Sequence, residues 1–310
     1  MDETEVEKHF VPRALPLKEY LAPGHRACQG CGPALAFRHI LKALGPNTVI
    51  SEATGCGEII STPYPQTAWR VPWIHTAFEN AASVASGIEA AYKILMRKGR
   101  IPEERITVVA LAGDGGTGDI GVQALSGAME RGHDFIYICY DNEAYMNTGI
   151  QRSGLTPFGA ATTTSPAGSV VKGQTTWKKD MPSIAAAHHI PYVATACTSY
   201  PADLYAKVMK AAEVRGPAYL HILAPCPTGW RCPSDMTIEI GRRAVESGLF
   251  NLFEIVDGKK KLTLEVPKRR PVADYLKPQG RFRHLDDEDI AFIQRKVDED
   301  YEALLAEVSG

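Results

Sequence analysis

The cysteines are the residues of this chain whose type and spacing most directly suggest chemistry. A thiolate binds soft metals, and four thiolates complete the coordination of one 4Fe–4S cluster or of one zinc ion. Four cysteines stand in turn-like settings with glycine or proline beside them, namely Cys28, Cys31, Cys56 and Cys226. Spacing alone leaves the metal open, and Cys232, six residues after Cys226, could compete with it as the fourth ligand.

A second group of residues suits a hard cation. A Gly-Asp-Gly turn at 113–115 follows one apolar run, and an Asp-Asn pair at 141–142 follows the next. Ligands of open parallel sheets bind at the carboxyl ends of the strands, where glycines let a phosphate approach the backbone. Asp114, Asn142 and the Ala144 carbonyl offer the oxygens that magnesium prefers. A nucleotide-binding turn is the alternative, but it lacks a G-x-G-x-x-G fingerprint and leaves Asp114 unexplained.

Composition narrows the class of protein. The chain has 310 residues, a formal net charge of −2 and seven cysteines. The balanced charge gives no reason to expect a nucleic-acid partner, and no apolar run is long enough for a membrane span. An odd number of cysteines fits a disulfide framework poorly, and the acidic, polar start at Met1–Lys8 is unlike a secretory signal. We therefore expect a cytoplasmic protein.

Short apolar runs alternate with helical patterns along most of the chain. The predicted strands are 48–51, 106–112, 135–140, 192–196 and 218–224, and the predicted helices are 33–44, 78–98, 118–131, 182–188 and 201–214. Most of the strand runs are apolar at consecutive positions, as expected for strands that are covered on both faces. This alternation predicts an α/β fold with a mainly parallel, twisted sheet between two layers of helices.

Two regions depart from the alternation. Residues 142–180 are rich in Gly, Thr, Ser and Pro without periodicity, which predicts a long functional loop. After residue 230 the sequence predicts a hairpin with strands at 252–256 and 262–266, Lys259–Lys261 at its solvated tip, and a helix from about Asp287. We predict a cofactor-binding domain at 1–230 and an extension at 231–310 that packs on the core or on a partner subunit.

Taken together, these motifs resemble the β subunit of the 2-oxoacid:ferredoxin oxidoreductases. Residues 113–115, 141–145 and 147–149 are similar to the thiamine-diphosphate site of that family, and the segments around the four cysteines to its cluster ligands. Residues 270–272 and 280–285 resemble the pyruvate-type members, and the oxalate oxidoreductases are a related branch. The resemblance covers nearly the whole chain. It implies the diphosphate-binding fold of thiamine enzymes and an iron–sulfur cluster in place of zinc.

The resemblance also implies roles for single residues. Asp114, Asn142 and the Ala144 carbonyl would hold Mg²⁺. The residues expected to contact thiamine diphosphate are Gly113, Gly115 and Asn147, with Asn147 also the candidate catalytic residue. The 4Fe–4S ligands would be Cys28, Cys31, Cys56 and Cys226, with Cys56 close to the thiamine. Gly116-Thr117 departs from the family, some members of which have an aromatic residue after Gly-Asp-Gly.

The implied activity is the oxidative decarboxylation of pyruvate with coenzyme A to acetyl-CoA and CO₂, with electrons passing through the cluster to ferredoxin. Such chemistry belongs to anaerobic metabolism. Subunits of α and γ/δ type would complete the enzyme, since the glutamate that activates thiamine lies outside this chain in the family. Oxalate, without coenzyme A, or another 2-oxoacid is an alternative substrate. A non-catalytic electron-transfer subunit is an alternative of another class, but it would need neither Asp114 nor Asn142.

Overall fold

The computed structural model of the chain describes residues 15–63 and 67–309, so the Met1–Lys8 segment lies outside the described residues. Its strands are β1 (Thr48–Ala53), β2 (Trp73–Thr76), β3 (Thr107–Gly113), β4 (Ile136–Asp141), β5 (Tyr192–Cys197), β6 (Ala218–Leu223), β7 (Phe253–Val256) and β8 (Lys259–Leu262). They form one sheet in the order β2-β1-β3-β4-β6-β5-β7-β8. The first six pair in parallel, and β7 and β8 add an antiparallel hairpin at one edge.

Helices cover both faces of this sheet. They are α1 (Gly32–Leu44), α2 (Cys56–Ser61), α3 (Ala81–Arg97), α4 (Asp114–Gly118), α5 (Val122–Glu130), α6 (Met181–Ala186), α7 (Pro201–Glu213), α8 (Pro227–Trp230), α9 (Thr237–Glu246), α10 (Ala273–Leu276) and α11 (Asp287–Ser309). Helices α1 and α7 share a core with Leu111 and Ile138, whereas α3, α5 and α6 share another with Ala110 and Tyr137. Successive residues of a strand point to opposite faces, so a strand buried on both sides is apolar throughout.

The predicted α/β alternation is confirmed. The five predicted strands correspond to β1, β3, β4, β5 and β6, and the five predicted helices to α1, α3, α5, α6 and α7. The edge strand β2 was not predicted from the sequence, because it has only four residues and its two central side chains are exposed. Residues 142–180 form no helix or strand, as predicted for the long loop.

The predicted position of the hairpin's second strand is wrong. Strand β8 begins at Lys259, directly after the turn at Asp257 and Gly258, whose φ angles are 48° and 80°. Two successive positive φ angles are typical of the type I′ turn, which joins strands through two residues. Lys259–Lys261 therefore lie in an edge strand and not at the tip of the hairpin. Charged side chains on an edge strand oppose its pairing with another chain.

The segment after residue 230 packs on the rest of this chain. Its helices, with Trp230 and the end of β6, enclose a third core that includes Ile240, Tyr275, Phe282 and Ile293. Strand β7 pairs with β5, so the hairpin continues the central sheet. A separate domain beginning at residue 231 stays a prediction. Within the described residues, no helix has both the length and the apolar character that crossing a membrane requires.

The carboxyl edge of the sheet gathers the predicted site residues. Cys56 begins α2 just beyond β1, Asp114 begins α4 directly after β3, and Asn142 directly follows β4. Cys226 precedes α8, a short distance beyond β6. The Cys28–Cys31 turn reaches the same edge, where the Gly32 amide donates to the Pro225 carbonyl at 3.0 Å.

Gly32 permits this approach of two distant segments, and it can be tested. A Cβ at Gly32 would lie 2.6 Å from the Pro225 carbonyl oxygen and 2.7 Å from the Ala224 carbonyl carbon. We expect Gly32→Ala to lower the free energy of unfolding by about 1–3 kcal/mol, measured by urea denaturation. Gly87→Ala, inside α3 with open space around the added methyl group, is the matched control and should raise stability by up to about 1 kcal/mol. A Gly32→Ala variant as stable as the parent would contradict the close approach.

Candidate functional site

One cleft at the carboxyl edge brings the two predicted groups of residues together. Its cavity volume is about 40 Å³. Cys56 and Thr54 lie beside it, and its other lining residues include Gly113, Asp114, Gly115, Asn142, Ala144 and Asn147. Asn147 is exposed at the rim. The cleft therefore contains one predicted cluster ligand and all of the residues predicted to bind thiamine diphosphate and magnesium.

The glycines of the turn at 113–115 allow close packing of aromatic rings. The Tyr145 ring occupies the space that a Cβ on Gly115 would need, and the Tyr140 ring lies 3.3 Å from the corresponding position of Gly113. The Tyr145 hydroxyl lies 3.2 Å from both the Gly115 carbonyl oxygen and Asp119 Oδ2. Side chains larger than hydrogen at these two positions would displace the walls of the cleft.

The residues predicted to bind magnesium lie close together in this cleft. The Asn142 side-chain amide lies between the Ala144 carbonyl oxygen and Asp114 Oδ1, and with its nitrogen toward them it donates to both, at 2.9 Å and 3.0 Å. The three residues also offer a carboxylate, an amide oxygen and a carbonyl oxygen, the kinds of ligand that magnesium prefers. The donor set therefore fits a magnesium ion in its chemistry.

The surroundings of Asp114 affect the charge of its carboxyl group. Ser153 donates its hydroxyl proton to the second carboxylate oxygen. Burial, together with the negative charge of Asp141, raises the pKa of Asp114 well above its usual value. A bound divalent cation would lower the pKa of Asp114, because it stabilises the ionised carboxylate.

Behind the cleft lies a buried ionic network centred on Asp141. Asp141 Oδ2 is 2.6 Å from Lys178 Nζ and 2.9 Å from His221 Nε2. Burial alone would raise the pKa of Asp141, but the Lys178 ammonium and the His221 ring outweigh it and lower the pKa to about 2. Burial disfavours the charge of Lys178, yet its two carboxylate partners, Asp141 and Glu143, hold its pKa above the usual value. Asp141 and Lys178 therefore keep their charges at neutral pH.

The four predicted cluster ligands approach one another around the start of three helices. Cys31 and Cys226 immediately precede α1 and α8, and Cys56 begins α2. The Gly229 amide lies 3.4 Å from the Cys226 sulfur. Cys31, Cys56 and Cys226 thus come from three separate segments of the chain.

Neighbouring thiols affect the pKa of Cys56. Burial raises the pKa of Cys56 to about 12, with further contributions from Cys226, Cys31 and Cys28. Cys232 is affected by Arg281 and Cys226 but not by the other three thiols. In the ranges 15–63 and 67–309, no three His, Cys, Asp or Glu side chains stand at the spacing of a metal site. The donor set of four neighbouring thiols fits a soft metal centre in its chemistry, although the sulfur atoms stand apart.

A buried carboxyl group lies beneath the Cys56 helix. Glu52 in β1 is fully buried, and its Oε2 accepts a hydrogen bond of 2.7 Å from Trp73 Nε1. Oε1 has no hydrogen-bond partner within the described part of the chain. Burial raises the pKa of Glu52 to about 8, so the group is mainly protonated at neutral pH. A neutral acid in this place adds no negative charge beside the thiols.

Several residues of the site were not predicted from the sequence. They are Glu52, Tyr140, Ser153, Lys178, His221 and Arg281. His221 and Tyr140 lie inside apolar strands, where a polar side chain is the only available signal. Ser153, Lys178 and Arg281 lie in irregular segments, where no periodicity indicates which way a side chain points. The predicted residues were found because they belong to short motifs at the ends of strands.

The raised pKa of Glu52 predicts a pH dependence of stability. The folded protein keeps this proton up to about pH 8, whereas an ordinary glutamate releases it near pH 4.5, so stability should fall as the pH rises between these values. Glu52→Gln should remove this loss and gain on the order of a few kcal/mol relative to the parent from pH 5 to pH 8. Urea denaturation across that range measures it, with the exposed Glu103→Gln as control. Parallel stability curves for Glu52→Gln and the parent would contradict the assignment.

Comparison with known proteins assigns the family. The model of a family described as "Thiamine pyrophosphate enzyme, C-terminal TPP binding domain" matches residues 53–222, which include Asp114 and Asn142. Pyruvate synthase subunit PorB of Methanocaldococcus jannaschii is 62% identical over 285 residues, 92% of this chain and 96% of that protein. Ketoisovalerate oxidoreductase subunit VorB of Pyrococcus abyssi is 50% identical over 300 residues, 96% of each chain.

A solved structure supports the same fold. It is a 2-oxoglutarate:ferredoxin oxidoreductase from Magnetococcus marinus with 2-oxoglutarate, coenzyme A and succinyl-CoA bound, and it matches with a TM-score of 0.56 and 21% identity. The match covers 72% of this chain and 79% of that chain. The predicted thiamine-diphosphate fold and the resemblance to a family are thus both confirmed. The chain belongs to the β subunits of the 2-oxoacid:ferredoxin oxidoreductases, and it is a thiamine-diphosphate-binding subunit of a multi-subunit oxidoreductase.

Proposed function

We propose that this subunit serves the oxidative decarboxylation of pyruvate by coenzyme A, with electrons leaving through a 4Fe–4S cluster to ferredoxin. The observation that carries the proposal is the cleft that Cys56 and Asp114 share. A thiol and a carboxylate at one cavity support the binding of a soft metal centre and a hard cation side by side. Pyruvate is favoured because the relatives named pyruvate synthase reach 62% identity, compared with 50% for those named ketoisovalerate oxidoreductase.

The proposal assigns each residue of the cleft a task. Bound thiamine diphosphate supplies a nucleophilic carbon and a sink for the electrons that decarboxylation releases. Asp114, Asn142 and the Ala144 carbonyl would hold the magnesium ion that accompanies the diphosphate. Gly113 and Gly115 leave room for the diphosphate. The exposed amide of Asn147 at the rim makes the polar contact to the reacting substrate, which is the catalytic role predicted for it.

For the cluster, the proposal assigns the thiols of Cys28, Cys31, Cys56 and Cys226. The effect of Cys226, Cys31 and Cys28 on the pKa of Cys56 supports the assignment, whereas of these thiols only Cys226 affects the pKa of Cys232. Partner subunits of α and γ/δ type complete the enzyme, in keeping with relatives that are named as subunits. One of these partners supplies the glutamate that activates thiamine.

A second substrate is supported by a specific observation. Relatives named ketoisovalerate oxidoreductase are about half identical to this chain over nearly its full length, so a branched-chain 2-oxoacid is the second candidate. Oxalate stays an alternative from the sequence. The non-catalytic electron-transfer subunit is disfavoured, because the thiamine-enzyme family model spans the cleft.

An assay of the assembled, anaerobically purified complex tests the substrate. We expect ferredoxin reduction to be fastest with pyruvate and to require coenzyme A, compared with 2-oxoisovalerate, 2-oxoglutarate and oxalate. Asp114→Ala in the same complex should abolish the rate with every acid, because it removes a carboxylate from the cation site. Faster turnover of 2-oxoisovalerate would select the second candidate, and turnover of oxalate without coenzyme A would select the oxalate alternative.

The cluster ligands are tested by a matched pair of cysteine variants. Cys226→Ser should lower the iron and sulfide content of the complex and the electron paramagnetic resonance signal of its reduced form, since serine replaces a thiolate ligand. Because other subunits can carry clusters of their own, the loss is measured against the parent complex. Cys232→Ser is the control and should retain the parental iron content. The reverse pattern would make Cys232 the fourth ligand.

A further inference from the structure

The segment that follows the core contributes a buried arginine to the back of the cofactor cleft. Arg281 lies in a short 3₁₀ helix, Gly280–Phe282, and is 2% exposed. Its guanidinium Nη2 donates to Glu143 Oε2 at 2.5 Å and to the Tyr275 hydroxyl at 3.0 Å. Its Nε donates to Gln279 Oε1 at 2.8 Å. An arginine with this many partners is fixed in position and direction.

Arg281 acts on the Asn142 segment by two independent routes. The first is the ion pair with Glu143, which directly follows Asn142 in the chain. The second passes through Trp230, because the guanidinium carbon lies 4.0 Å from the centre of that ring and the ring Nε1 donates to the Asn142 carbonyl at 2.8 Å. Both routes thus act on the chain at the Asn142 carbonyl and at the residue that follows it.

The backbone at Glu143 needs such fixation. Its φ angle is 71°, in the left-handed region that a residue with a side chain adopts at a cost of about 1 kcal/mol or more. This turn brings the Asn142 amide between the Ala144 carbonyl and the Asp114 carboxyl group. If Glu143 relaxed to an ordinary conformation, these three groups would move apart.

Arg281 also supplies one of the positive charges that the buried carboxylates face. Asp141 pairs with Lys178 and contacts His221, whereas Glu143 pairs with Lys178 and Arg281. Without Arg281, Glu143 would be left with Lys178, which it shares with Asp141. An unpaired buried charge is strongly unfavourable, so the loop would rearrange to bring the carboxylate of Glu143 to water.

We propose that Arg281 is a positioning residue for the cofactor, which holds the Asn142–Ala144 turn in the conformation that binds magnesium and thiamine diphosphate. It touches neither cofactor nor substrate and works through Glu143 and Trp230. The inference rests on the proposed function, since it assigns Arg281 to the magnesium diphosphate site. It makes the C-terminal segment part of the cofactor-binding apparatus.

The experiment compares cofactor affinity with stability in the assembled complex. The complex is stripped of cofactor with a chelator and then titrated with thiamine diphosphate at fixed Mg²⁺, and with Mg²⁺ at fixed thiamine diphosphate, by isothermal titration calorimetry. For Arg281→Gln we expect the concentration at half-saturation to rise by about 10–100-fold in both titrations, the size of effect seen when a residue that orients a metal ligand is lost. Arg283→Gln, an exposed arginine two residues further along, is the matched control and should bind as the parent does.

A merely structural role would give a different result. It would lower the melting temperature of the cofactor-free complex and leave both half-saturation values unchanged, which would overturn the inference. Arg281→Lys keeps the charge but loses the stacking on Trp230, so a smaller rise is expected. If the Arg281→Gln complex does not assemble, the Arg281→Lys complex is titrated in its place. Parental affinity of the Arg281→Lys complex would then reject the positioning role. Failure of the parent complex to bind thiamine diphosphate with Mg²⁺ would instead reject the proposed function itself.

Discussion

The compensation of buried negative charge at the carboxyl edge of the sheet is the constraint on which the site depends. Asp114, Asp141 and Glu143 are each at most 1% exposed and lie at the ends of the neighbouring strands β3 and β4 or directly after them. Carboxylates removed from water are strongly unfavourable unless cations or hydrogen-bond donors replace the solvent. Lys178 and Arg281 supply positive charge to two of them, and His221 adds a hydrogen bond. Asp114 has a single hydroxyl donor from a side chain, Ser153, which leaves it as the carboxylate able to bind an added cation.

This constraint explains why long irregular segments are fixed in place. Lys178 lies near the end of the loop at 142–180 and pairs with Asp141 and Glu143 near its start, so two ion pairs close the loop. Arg281 lies in the segment after residue 230, and its ion pair with Glu143 fixes that segment to the start of the same loop. The loop at 142–180 forms no helix or strand. Charge pairing therefore takes the place that strand pairing has elsewhere in the fold.

The sequence predicts the fold better than the surroundings of the site, for a physical reason. The strands β3 and β4 are visible because burial on both faces requires apolar residues at every position, and the turns after them carry residues that bind ligands. The ligand candidates were therefore found at strand ends. Lys178 and Arg281 could not be assigned, because their partners lie 35 and 138 residues away along the chain. The misplaced hairpin strand shows a related failure, since three lysines at an edge are compatible with either a strand or a turn.

Tyr140 connects the soft and the hard sides of the cleft. Its hydroxyl accepts a hydrogen bond of 3.1 Å from the Gly57 amide, and its ring packs against the space beside Gly113. One rigid side chain thus sets the spacing between the helix that carries Cys56 and the turn that carries Asp114. Glu52 lies beneath the same contact and is mainly neutral, so that neither residue adds charge between the two centres. The contact between the Cys56 helix and the Asp114 turn is therefore rigid and mainly uncharged.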